Sequence, residues 1–178
     1  MAFHDITTIP TVDNAYLSNR ARRFLIALYW MKRVSLQEPL MTDDLRRLRD
    51  YWLEARGSRR MPSRHVIDPM EMPGILPHVV LTDVFHDPLR FRYRLIGTAI
   101  TTLTGRDVTG SWLNQELYGD RTDNMLWTFR TCAETGEPVA VRQKAQFPDR
   151  EWVGVEVLLL PLGKTDTTVE IILSGLYV

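Results

Sequence analysis

Three glycines, Gly97, Gly105 and Gly110, fall within FRYRLIGTAITTLTGRDVTGSWL, residues 91–113. That density suggests a loop able to cradle a phosphate. The spacing matches neither G-x-G-x-x-G nor G-x-x-x-x-G-K-[ST], and no lysine lies between Lys32 and Lys144 to serve a phosphate. Tight turns account for such glycines better than a nucleotide does. Nucleophilic catalysis needs a base within reach of the nucleophile. Cys132 is the single cysteine, and His4, His65, His78 and His86 all lie in the other half of the chain. No G-x-S-x-G, C-x-x-C or H-x-x-x-H is present. Asp83, His86 and Asp87 lie in a stretch that suits a turn. The chain is therefore read as a non-enzyme.

Composition narrows the classes further. The 22 basic and 22 acidic residues cancel, so no whole-molecule field draws the protein to nucleic acid. One cysteine cannot form an internal disulfide, which suits a reducing compartment. The apolar run FLIALYWM, 24–31, is far too short for a bilayer. It lies too deep for a secretory signal and lacks a cleavage site. A cytoplasmic protein with one domain and some extra chain is expected.

The elements that would position these residues follow from periodicity. Residues 14–34 have helical spacing at Leu17, Ala21, Phe24, Leu25 and Leu28, with Asn14 as a possible cap. A second helix is marked by Thr42, by Asp43 and Asp44 against the dipole, and by Gly57 as the stop. A proline-punctuated connector follows, in which Asp68-Pro69-Met70-Glu71 has the logic of a capped turn. The period then becomes two. VVLTDV (79–84) and FRYRLI (91–96) are expected strands, with Phe91, Tyr93 and Leu95 on one face and Arg92 and Arg94 on the other. Arg94 is either solvated or paired with an acid such as Asp107. Short helical pieces, a longer helix near 121–134, and three strands joined as hairpins complete the chain.

This order, together with Asp68-Pro69, Leu76-Pro77, Tyr93-Arg94-Leu95, Gly97-Thr98, Gly105, Thr109-Gly110 and Leu160-Pro161-Leu162, resembles a bacterial subfamily of stand-alone PAS proteins. The resemblance covers about residues 42–177. It implies an α+β fold, with a five-stranded antiparallel sheet cupping a small cavity, short helices and one longer helix across it; the N-terminal helices read from periodicity precede this fold. Residues 1–41 would form an extension with an amphipathic helix, and 42–178 the PAS-like domain.

The resemblance also implies a sensory or regulatory role. Such a protein would act through small-molecule binding, protein–protein interaction or both, with no output domain of its own expected. The alternatives are an interaction module whose cavity is filled by its own side chains, and a small enzyme. Residues expected to line a ligand site are Tyr93, Leu95, Ile100, Leu103, Trp112, Leu126, Phe129, Val155 and Val157. The same aromatics could equally fill a core. No cofactor is expected: the long helix has no histidine for haem, and Cys132, in TCAETG, lacks the surroundings of a flavin-reactive cysteine. Expected partners are a second copy through residues 14–34, an unidentified regulatory protein and a small molecule, but no nucleic acid. The arginines of 14–34 also allow peripheral contact with an anionic membrane surface.

Overall fold

The computed structural model describes residues 27–34, 40, 42–146 and 152–178, with backbone alone for 27–34, 120, 146 and 152. Strands β1 (Ala27–Val34), β2 (Val79–Phe85), β3 (Arg90–Ile96), β4 (Val139–Gln146), β5 (Trp152–Leu162) and β6 (Ile171–Tyr177) form one antiparallel sheet. Its order is β1-β4-β5-β6-β2-β3. Helices are α1 (Asp43–Arg56), α2 (Thr98–Thr104), α3 (Gln115–Tyr118) and α4 (Thr122–Thr135). The five strands expected from the sequence lie in the expected arrangement, with the longer helix α4 packed on them. No helix among the described residues is long and apolar enough to cross a membrane.

The sheet has one strand more than expected. Residues 27–34, expected as the end of a helix, form β1 along the free side of β4; residues 14–26 lie outside the described residues. A short apolar run cannot be assigned to helix or strand by periodicity alone. Its aromatic residues suit a strand, and β4 offers an unpaired row of backbone donors and acceptors. The pairing carries a one-residue irregularity, since Leu28 faces Ala145 and Trp30 faces Lys144.

Helix α1 covers the convex face. Thr42 is its extended N-cap residue, without a side-chain cap, and Gly57 ends it at φ 55°. Leu45, Leu48 and Trp52 form its buried stripe. The Trp52 indole donates to the Pro161 carbonyl on β5 at 2.9 Å. Leu45 and Leu48 sit so close to Gly175 on β6 that a Cβ there would lie 2.6 and 2.8 Å from their methyl carbons.

The connector behaves as its prolines and Asp68 suggest. The Asp68 carboxylate accepts from the Met70 amide at 2.9 Å and caps the short turn Pro69–Glu71. Ile67, Met72 and Ile75 are buried. A second short turn, Leu76–His78, then abuts the start of α2. Gly97 is required there by contact and not by its φ of −66°. A Cβ on it would lie 2.3 Å from the Pro77 carbonyl oxygen and 2.8 Å from that of Leu76.

These neighbours are backbone atoms, which cannot swing aside. Gly97→Ala is therefore expected to cost about 3 kcal/mol, at the upper end of overpacking effects. Gly74→Ala, with nothing within 4 Å of the added carbon, should stay within about 0.5 kcal/mol. Denaturant melts of the two variants make the comparison.

Candidate functional site

Side chains alternate across the sheet, so the pairing register assigns each to a face. Thr82 faces Tyr93 and Ile172, Ser174 faces Val80 and Leu159, and Val157 faces Leu176. These residues form the concave face toward α2 and α4. Glu156, Leu158, Leu160, Leu173, Gly175 and Tyr177 form the convex face toward α1.

The centre of the cup is aromatic. Phe129 of α4 lies against Phe91, ring centroids 5.6 Å apart, and meets Tyr93 edge-on at 6.4 Å. The Tyr93 and Tyr118 hydroxyls hydrogen-bond at 2.5 Å. Burial raises the pKa of Tyr93 well above its ordinary value, and the neighbouring Tyr118 adds to this. Burial also raises that of Tyr118, against the opposing influence of the Tyr93 hydrogen bond and Arg106. Two more hydroxyls on the same face, Thr82 Oγ1 and Ser174 Oγ, are buried with no hydrogen-bond partner among the described residues. An unsatisfied buried polar atom costs about 1–3 kcal/mol, so these two suit a polar group arriving from outside the chain.

The residues expected to line one site separate into two places, with two residues outside both. Tyr93 and Phe129 are buried in the aromatic centre, and Leu126 packs against the same core. Leu103, Val155 and Val157 gather at the α2 end with Val153 and Leu176. There Ile100 and Leu103 help line a half-open hollow of about 280 Å³. His78, Ala99, Thr102, Leu176, Tyr177 and Val178 complete its walls.

Leu95 and Trp112 belong to neither place. Leu81 faces Leu95 while Thr82 faces Tyr93, so Arg94 is the extra residue of a bulge. The alternation slips there, and Leu95 turns to the convex face, where it is 43% exposed. The expectation that it shares a face with Phe91 and Tyr93 is thus corrected. Trp112 packs on Phe85 at 5.0 Å beneath the Arg90 guanidinium, away from the cup centre.

Arg94 pairs with Asp83, at 2.6 Å, and Arg92 reaches the other oxygen of that buried carboxylate at 3.2 Å. Asp107 instead accepts from the Thr109 amide at 2.9 Å, and hydrogen bonding from Thr109 lowers its pKa.

Sequence reasoning passed over His78, Tyr118, Leu176 and Tyr177. His78 stacks on Tyr177, with centroids 4.1 Å apart and planes 11° from parallel. Cys132 is fully buried in α4, and burial, aided by the Glu137 charge, pushes its thiol pKa far up. A thiol so held is inert as a nucleophile. Among the described residues no group of three or more His, Cys, Asp or Glu side chains is placed to hold a metal.

On the convex side, directly behind this wall, Glu156 of β5 is buried. Its Oε2 accepts from the Thr42 amide at the start of α1 at 3.1 Å, and its Oε1 accepts from Arg142 Nε on β4 at 2.9 Å. Tyr177, its partner in the β5–β6 register, approaches Asp44 in the first turn of α1. Burial, then the Asp44 carboxylate, raises the Tyr177 pKa, although the phenol oxygen falls short of hydrogen-bond geometry.

Phe129→Ala is expected to cost about 3–5 kcal/mol, since a buried ring leaves a cavity; denaturant melts measure it. The tyrosine pair makes stability sensitive to alkali. Both phenols hold their protons more tightly folded than the ordinary value of about 10 for an unfolded chain. Their contribution is complete below about pH 10 and is lost as pH rises through the folded values. The double variant Tyr93→Phe/Tyr118→Phe removes both partners, so it should be near neutral in stability at about pH 8. Its alkaline loss should be shallower than that of the parent chain in melts repeated above about pH 10.

Residues 41–178 match a family model described as PAS domain. No curated protein matches the chain. A solved structure titled "Structure of an RNA-binding Light-Oxygen-Voltage Receptor" is similar at 18% identity and a TM-score of 0.43, over 85% of this chain and 39% of that one. With the greater part of its length matched by that family model, the chain belongs to the PAS domain family.

Proposed function

We propose that this PAS domain is a regulatory sensor that takes up a small molecule on its concave side and signals through helix α1. PAS membership supports a sensory or regulatory role in general. The observation that carries the finer reading is the grip of Glu156 on the Thr42 amide. Strands β5 and β6 present the cup and hollow on one face, through Val155, Val157 and Leu176, and the start of α1 on the other, through Glu156 and Tyr177. A ligand that shifts these strands changes the seat of α1 without touching it. The hydroxyls of Thr82 and Ser174, which have no partner among the described residues, support a polar ligand group within the cup.

The partner receiving the signal would be a regulatory protein or a second copy of the chain. A second reading is an interaction module with a self-filled cup. The close packing of Phe91, Tyr93 and Phe129 favours it. Native mass spectrometry of the purified protein separates the two: a bound small molecule favours the sensor, and bare protein favours the module.

The grip itself is open to test. Glu156→Ala removes, in a buried position, the acceptor of the hydrogen bonds from the Thr42 amide and Arg142. It should cost roughly 3–5 kcal/mol. Glu156→Gln keeps an acceptor but loses the charge. In that variant amide hydrogen exchange in the first turns of α1 should quicken by about tenfold while β2 and β3 keep their protection. Unchanged exchange in α1 would sink the proposed route.

A further inference from the structure

We infer that the hollow between α2 and the end of β6 is a site for a small, flat, apolar ring carrying one hydrogen-bond donor. This deepens the sensor reading by naming a place and a ligand class, and rests on it only for the consequence of binding. At about 280 Å³ the space lies at the lower end of ligand pockets, which suits a fragment-sized molecule. Its walls are chiefly aliphatic: Ala99, Ile100, Leu103, Leu176 and Val178.

The polar features are few and already oriented. The Thr102 hydroxyl donates to the Thr98 carbonyl at 2.9 Å, so its proton is committed within α2. His78 Nδ1 lies 3.1 Å from the Leu176 carbonyl oxygen. A carbonyl can only accept, so Nδ1 carries the proton in that contact. In the neutral ring Nε2 is then an acceptor. It has no hydrogen bond to another described residue.

Stacking on Tyr177 fixes the plane of the imidazole. The site therefore offers aliphatic walls, a fixed aromatic face and, at His78 Nε2, an acceptor on that face. A ring bearing an N–H or O–H matches all three. A ring without a donor fills the walls but leaves Nε2 unmet, and a charged ligand loses its hydration to aliphatic walls.

The probe is indole, with indene as the same bicycle lacking the N–H. Binding to the full chain is followed by NMR shifts of the Ile100, Leu103 and Leu176 methyl groups. Indole should move these methyls and bind about tenfold more tightly than indene, the scale of a hydrogen bond to an otherwise unmet group. His78→Phe keeps a ring to stack on Tyr177 and removes the acceptor; it should bring indole down to the affinity of indene. Equal affinities in the unaltered chain, or shifts confined to other methyls, would overturn the site, and this comparison needs no variant to fold. A preference for indole that survives in His78→Phe would overturn the role of Nε2. Amide exchange of α1 is recorded in the same samples. Methyl shifts without any change in α1 leave the site standing and remove the relay, whereas absence of binding removes the site and leaves the Glu156 experiment to judge the relay.

Discussion

The architecture turns on a carboxylate buried where an apolar side chain would ordinarily sit. Glu156 lies in an 11-residue strand whose neighbouring convex-face positions, Leu158, Leu160 and Leu162, are fully buried. A charge in that row is costly unless paired and hydrogen-bonded. Arg142 supplies the opposite charge from the adjacent strand, and the Thr42 amide supplies a donor at the positive end of α1. Because the carboxylate holds the Thr42 amide, it helps set where α1 begins relative to the sheet. The helix then runs so that Leu45 and Leu48 fall on Gly175 and the Trp52 indole reaches Pro161. Aliphatic packing alone would tolerate α1 sliding along the face. A polar contact with fixed partners does not.

Asp83 provides the contrast. It is the other acid buried in the sheet, and its two partners, Arg92 and Arg94, are each about half exposed on strand β3. The second pairing exists because of the bulge at Arg94. The extra residue brings a second guanidinium to the same carboxylate and, as its side effect, turns Leu95 outward. Glu156 is met by a helix end and so ties two layers together. Among the described residues Asp83 is met by its neighbouring strand alone and holds the sheet margin.

Much of the fold was legible because strand alternation and helix boundaries are local. Thr42, Gly57 and Gly136 bracket α1 and α4 as their residue types suggest, and the five strands of the cup follow runs of β-forming residues. What was not legible depends on distant partners. The period of FLIALYWMKRV does not distinguish a helix from a strand until β4 offers a free edge. The bulge at Arg94 is decided by a register with β2. The hollow joins residue 78 to residues 99–103 and 176–178, and its polar feature, His78, falls in a proline-rich connector where a histidine carries no periodic signal. The expected lining set assumes uninterrupted alternation and one continuous cavity. Leu95 fails the first premise, and the separation of Tyr93 and Phe129 from Leu103 and Val155 fails the second.

The same separation sets a tightly packed centre beside a looser margin. The rings of Phe91, Tyr93 and Phe129 make the centre stiff, because close-packed interiors transmit displacement and do not absorb it. The hollow lies at the end of β6, where packing is looser and the strand meets solvent. Leu176 and Tyr177 are consecutive there, so they point to opposite faces: Leu176 into the hollow and Tyr177 toward Asp44 of α1. Tyr177 also forms part of the hollow's rim through its stack on His78. One dipeptide at a strand end thus touches both the space a ligand would enter and the helix it would move, while the rigid centre keeps the remainder of the sheet in register.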